Sequence, residues 1–272
     1  MFHLAVLTGS PDFHVAAQQL AQQLKLPLLD KPDPSIDYLL RLDEAGLSLI
    51  IQNQQITKPF YLDFSKAKIM QRSAKATKYN ELIVKAVGQK NKFILDATAG
   101  FGYDAFLLAS VGHQVTLIEQ SPLVSALLED ALRRASHCAP LNEIAQRMHP
   151  ICANSLHHLN ALMPESKPDV IYLDPMFPAS KKTAKSKKEM QILQHLIGES
   201  EDSNLRLLFE SALQHAKNRV VVKRPRIGHP LCHTIPAFSL CGKAIRFDIY
   251  LCHLDKAQNS SIKQSPRSDT TI

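Results

Sequence analysis

The sequence predicts an α/β protein, a Rossmann-like, doubly wound sheet preceded by a small N-terminal α+β domain. Three observations predict it. Apolar runs of strand length alternate with helix-patterned segments from Asn80 onward. One of these runs, Phe93-Ile94-Leu95-Asp96, feeds a glycine-containing turn that leads into a helix. Acidic or polar residues stand where the runs end, at Asp96, Glu119, Asn154 and Asp174. In doubly wound sheets ligands gather at those carboxyl ends.

The 272 residues are 45% hydrophobic and 21% charged, enough for a sizeable core. The net charge of +7 suits an anionic partner, of which nucleic acid is the usual one. Five cysteines form no Cys-x-x-Cys pair and no regular spacing with histidine, so reduced thiols in a soluble, cytoplasmic protein are expected, with no metal site. No run approaches the roughly 18 apolar residues of a membrane span.

Phe2 to Leu7 reads as a strand closed by Thr8-Gly9-Ser10-Pro11. Val15, Ala16, Leu20 and Leu24 follow helical spacing between Phe13 and Leu26. Three prolines between Pro27 and Pro34 mark a connector. Tyr38 to Leu42, Leu47 to Ile51 and Phe60 to Phe64 read as short strands, with Glu44-Ala45-Gly46 a tight turn between the first two. Residues 1–65 are thus expected as the α+β domain, without a catalytic constellation, and the lysine-rich residues 66–78 as a basic connector.

Residues 79–254 follow as the main domain, opening on a helix from Asn80 to Val87 that Gly88 ends. After Asp96, the turn Ala97-Thr98-Ala99-Gly100-Phe101-Gly102 lets backbone approach a ligand closely, and Tyr103 and Asp104 begin a helix. Gln114 to Glu119 is the next strand, and its terminal acid lies about twenty residues past the turn, where a carboxylate binds a ribose diol. Asp104 would repel a diphosphate at the helix start but accept hydrogen bonds from an ammonium. The turn therefore favours S-adenosylmethionine, which carries one, over a nicotinamide dinucleotide. A helix from Pro122 to Ala135 and a strand from Arg147 to Ile151 come next. Asn154 and Ser155 then stand where they can read an adenine edge or cap a helix.

The strand Val170 to Leu173 ends in Asp174-Pro175-Met176-Phe177-Pro178. Asp174 supplies an acceptor for an amino group, Pro175 fixes a rigid exit from the strand, and Phe177 offers a platform for a flat heterocycle. Lys181, Lys182, Lys185, Lys187 and Lys188 follow at once, and Lys223 and Arg224 close the apolar strand Val220-Val221-Val222. Basic groups beside such a motif suit the phosphates flanking an extruded nucleotide. Ile245 to Leu251 reads as a last, antiparallel strand at a sheet edge, with Arg246 and Asp248 on a polar face. Residues 255–272 have the composition of a disordered tail.

Asp96 to Phe106, Glu119 to Leu132, Leu173 to Pro178, Arg219 to Pro225 and Arg246 to Tyr250, in this order, resemble the ribosomal RNA small subunit methyltransferase J family. The resemblance covers roughly residues 85–251 and implies a seven-stranded class I methyltransferase core. It implies S-adenosylmethionine-dependent methylation of the exocyclic N2 of a guanosine in the 3′ part of 16S rRNA. The partner is then 16S rRNA or the small ribosomal subunit. By position it assigns the cofactor to Tyr103, Asp104, Glu119, Gln120, Asn154, Ser155 and Asp174. The chain departs from the family pattern at Tyr103 and Gln120, where arginine is usual. The acidic-Pro-x-aromatic turn by itself also permits DNA adenine or a protein glutamine as target. The fold by itself permits an RNA-binding module without turnover, or a dehydrogenase.

Overall fold

The computed structural model describes residues 3–52, 59–77, 80–175 and 202–252. The first part of the chain builds a five-stranded sheet in the order β2-β1-β3-β4-β5, from β1 (Leu4–Thr8), β2 (Leu28–Leu29), β3 (Tyr38–Asp43), β4 (Gly46–Ile51) and β5 (Phe60–Tyr61). α1 (His14–Leu24) carries the chain from β1 to the parallel β2, and Lys25 ends it in the left-handed region at φ 54°. The proline-rich connector thus contains an edge strand. Pro27 lacks a donor but its carbonyl accepts from Val6 N–H at 2.8 Å, which an edge tolerates. Between β3 and β4 the turn needs Gly46 at φ 108°, with Asp43 accepting from Ala45 N–H at 2.9 Å.

The expected basic connector is a helix instead, α2 (Ala67–Lys75). Ile69 and Met70 pack on the core, and Arg72 donates twice to Glu81, at 3.1 and 3.0 Å, so tertiary contacts override the polar composition. Next come α3 (Leu82–Val87) and β6 (Phe93–Asp96), then α4 (Tyr103–Ser110) and β7 (Gln114–Glu119). They are followed by α5 (Pro122–Ser136), α6 (Asn142–Ala145), β8 (Met148–Cys152), α7 (Ser155–Asn160) and β9 (Val170–Leu173). After residues 176–201, α8 (Asp202–His215), β10 (Arg219–Pro225), β11 (Phe238–Cys241) and β12 (Ile245–Leu251) complete the described chain.

The second sheet has seven strands in the order β11-β12-β10-β9-β6-β7-β8. Strands β6 to β10 run parallel, while β12 and β11 are antiparallel. One face is covered by α3, α4 and α5, through Ile83, Phe106 and Leu127. The other is covered by α7 and α8, through Leu159 and Phe209. Chain direction across the sheet switches between β6 and β9, the crevice where doubly wound folds bind ligands.

β12 is not the edge. It lies between β10 and β11, and Arg246 and Asp248 are 8% and 0% exposed. Their polar face is buried because Arg246 donates to Asp248 and to the carbonyls of Pro225, Arg226 and Gly228, so the segment leaving β10 closes over them. No helix among the described residues is long and apolar enough to cross a membrane.

Candidate active site

The period-two alternation of the central strands decides which side chains meet. On β6, Ile94 packs toward α4, so Asp96 points the same way; on β9, Val170 and Tyr172 do, and on β10, Val221 does. Asp174 continues the β9 row just past that strand's end, and Lys223 continues the Val221 row within β10. Asp104, in the first turn of α4, faces them. Lys223 Nζ donates to Asp104 Oδ2 and to Asp174 Oδ2, both at 2.7 Å, and Tyr172 Oη donates to Asp104 Oδ2 at 2.7 Å.

The turn between β6 and α4 holds this cluster in place. Thr98 Oγ1 accepts from Asp174 N–H at 2.6 Å, while Thr98 N–H donates to Asp96 Oδ1 at 3.1 Å. Gly100 and Gly102 take φ of 52° and 71°, and a Cβ on Gly102 would sit 2.9 Å from Leu128 Cδ1. Glu119 at the end of β7 accepts from Gly100 N–H at 2.9 Å and Ser121 N–H at 2.7 Å.

Burial pushes the Asp96 carboxyl up to about 8, and the charges of Asp104 and Asp174 act in the same direction. Burial likewise raises Glu119, against the N–H groups of Ser121, Gly100 and Gln120. Burial also works to raise Asp104, but the Lys223 ammonium, the Tyr172 hydroxyl and Arg72 bring it below its ordinary value. Asp174 stays raised by burial and by Asp104, with Lys223 opposing. Burial disfavours the Lys223 ammonium, yet the two carboxylates hold its pKa above the usual lysine range.

Of the residues expected at the site, Asp96, Asp104, Asp174 and Lys223 meet in this one cluster, while Gly100, Gly102 and Glu119 build the turn and strand end beside it. Pro175 is buried behind Asp174. Tyr103 packs edge-on against Phe64 and Phe101, with centroids 6.1 and 6.3 Å apart. Gln120 is exposed at the end of β7. Asn154 caps α7 by accepting from His157 N–H at 3.1 Å, and Ser155 Oγ donates to Ala97 O at 2.6 Å, tying α7 to the turn. Arg224 turns aside to donate to His229 O at 2.7 Å. Met176, Phe177, Pro178, Lys181, Lys182, Lys185, Lys187 and Lys188 lie outside the described residues, as do residues 253–272.

Sequence reasoning missed three participants: Tyr172, Thr98 and Arg72. Strand alternation alone puts Tyr172 on the side of Asp174, so that signal existed. Nothing local marks Arg72, which reaches the site's field from α2.

The crevice offers what S-adenosylmethionine needs: a tight glycine turn between β6 and α4, a fixed carboxylate at the second strand end, and acceptors for an ammonium. Asp174 remains 36% exposed, so an amine can also reach it from outside. A family profile of SAM-dependent methyltransferases matches residues 19–252. The chain is 40% identical over 251 residues to ribosomal RNA small subunit methyltransferase J of Thioalkalivibrio sulfidiphilus, spanning 91% of this chain and 97% of the relative. It is 41% identical over 256 residues to the protein of that name from Cellvibrio japonicus, spanning 90% and 96%. The crystal structure of a SAM-dependent methyltransferase from Neisseria gonorrhoeae superposes with a TM-score of 0.75 at 33% identity, covering 93% of this chain and 98% of that one. The chain therefore belongs to the ribosomal RNA small subunit methyltransferase J family of methyltransferases, with S-adenosylmethionine as cofactor.

Proposed function

We propose that the protein methylates the exocyclic N2 amine of a guanosine in small-subunit 16S rRNA. The observation that carries this reading is the Asp174 carboxylate. It stands at the switch point between β6 and β9, fixed through its own N–H on Thr98, with one oxygen on Lys223 and a third of its side chain open. Relatives that cover nearly the whole chain bear the name of a small-subunit rRNA methyltransferase, which supports the polymer.

Guanine N2 is a weak nucleophile because its lone pair is delocalised into the ring. A carboxylate that accepts an N–H bond draws the amine into one orientation and stabilises positive charge as the nitrogen is alkylated. The cofactor supplies the electrophilic methyl on a sulfonium. Asp174, raised by burial, is a ready acceptor for the proton the amine then sheds. Phe177 would stack on the extruded base, and Lys181, Lys182, Lys185, Lys187 and Lys188 would meet the flanking phosphates.

The test is methyl transfer from labelled S-adenosylmethionine to unmethylated small subunits and to naked 16S rRNA, with nucleoside analysis of the product. Wild type should yield N2-methylguanosine, and Asp174→Ala should lower kcat by at least about 100-fold. A different methylated nucleoside, or no transfer by a protein that binds cofactor, would refute the guanine-N2 reading.

A further inference from the structure

Lys223 reads in the sequence as one of a pair of basic residues suited to RNA phosphates, but its surroundings are acidic. Its side chain is 23% exposed and its ammonium lies 2.7 Å from a carboxylate oxygen of Asp104 and 2.7 Å from one of Asp174. A phosphate approaching it would meet both negative charges. The neighbourhood holds three carboxyls, Asp96 from β6, Asp104 from α4 and Asp174 after β9, with the Tyr172 hydroxyl from β9. Arg72 of α2 also acts on Asp104, but its guanidinium is spent on Glu81. Among the described residues, Lys223 is the cation that hydrogen-bonds to this cluster.

We infer that Lys223 is a positioning residue for methyl transfer, whose ammonium bridges the cofactor-side Asp104 and the target-side Asp174 and holds Asp174 as a charged, aimed acceptor. The inference rests on the reading of Asp174 as the group that receives the target amine. One oxygen of Asp174 is fixed by Lys223, so its other oxygen faces a defined direction. Without the ammonium, three carboxyls would share one desolvated crevice, and like charges at such distances take up protons. A protonated Asp174 presents a hydroxyl donor in place of an acceptor. Arginine can supply the same charge; methionine and glutamine cannot.

Two measurements separate this role from an RNA contact and from a merely structural one. The first is kcat and KM of Lys223→Met, Lys223→Gln and Lys223→Arg on unmethylated small subunits between pH 6 and 9.5. The neutral variants should lose more than about tenfold in kcat at pH 7 and regain rate as pH rises, with RNA KM nearly unchanged; Lys223→Arg should keep the wild-type profile. The second follows the Asp174 carboxyl by 13C NMR in aspartate-labelled protein, assigned with Asp174→Asn. Its titration should move up by at least about one pH unit in Lys223→Met and Lys223→Gln but not in Lys223→Arg.

A neutral variant that raises only RNA KM, or one that leaves the Asp174 titration in place, overturns the inference. So does an equal loss in all three variants at every pH. Should wild type methylate neither RNA, the target reading fails, while the NMR titration still decides what Lys223 does to Asp174.

Discussion

Asp96 is 2% exposed, receives one N–H from Thr98, and lies within the field of Asp104 and Asp174. With its carboxyl pushed up to about 8 by burial, the native protein holds a proton there that the unfolded chain releases near pH 4. Between those values the native state binds more protons, so this group's contribution to stability is complete below about pH 4 and lost as pH climbs through about 8. Asp96→Asn keeps the shape and cannot ionise. Relative to that variant, wild type should lose at most about 1.4 kcal/mol per pH unit across this window, read from urea unfolding at pH 5, 6, 7 and 8. A constant difference between the two would show that Asp96 ionises normally. The acids of this site were legible in the sequence because each ends a strand or starts a helix beside glycine. Tyr172 is legible only by its alternation with Asp174, since inside Val170-Ile171-Tyr172-Leu173 it otherwise reads as one more core side chain. Lys223 was legible as a charge, but a run of basic residues does not say which of them faces inward.

The parallel strands of the seven-stranded sheet follow from local pattern, and α2 and β11 are among the elements that escaped it, each for a physical reason. α2 has little apolar character of its own and is held by Ile69, Met70 and the Arg72–Glu81 pair, contacts that exist only once the chain has folded. β11 is four residues long and without a β-branched side chain, so nothing marked Phe238-Ser239-Leu240-Cys241 as a strand. With β11 unseen, the Arg246-x-Asp248 alternation of β12 looked like a solvent face. In the fold Asp248 is fully buried, accepting from Ser239 Oγ at 2.6 Å and from Arg246 Nε and Nη2 at 2.8 and 3.0 Å. Arg246→Met would strand that carboxylate and free the carbonyls of Pro225, Arg226 and Gly228 at and just after the end of β10. The expected cost is about 3 kcal/mol, measured as a fall in the denaturant midpoint. A change below about 1 kcal/mol would mean that water replaces the guanidinium and that the pair is not structural.

At the scale of the molecule, the two sheets are one packing unit. A single apolar cluster runs from Val6, Leu40 and Leu49 of the first sheet through Phe106 and Leu127 to Val221 of the second. Polar contacts reinforce it: Asp130 of α5 accepts from Leu47 N–H at 2.9 Å, and Arg134 donates to Asp130 and to Leu62 O. The sequence divides into these two parts readily, but it assigns the first no role, because contacts across such separations leave no local signature. The aromatic packing supplies one. Phe64 lies parallel on Phe106 at 4.7 Å and edge-on to Tyr103 at 6.1 Å, and Phe60 meets Phe101 at 5.2 Å. Phe101 belongs to the glycine turn between β6 and α4, and Tyr103 and Phe106 stand beside Asp104 on α4, so the N-terminal part is the floor under the turn proposed to hold the cofactor. Phe64→Ala should therefore do two things at once. It should cost about 3–5 kcal/mol of stability. It should also weaken S-adenosylmethionine binding, measured by calorimetry at a temperature where the variant remains folded, although Phe64 itself touches neither carboxylate. If stability falls while cofactor affinity holds at the wild-type value, the floor is a prop for the fold alone and the geometry of Asp104 is set entirely within the seven-stranded sheet.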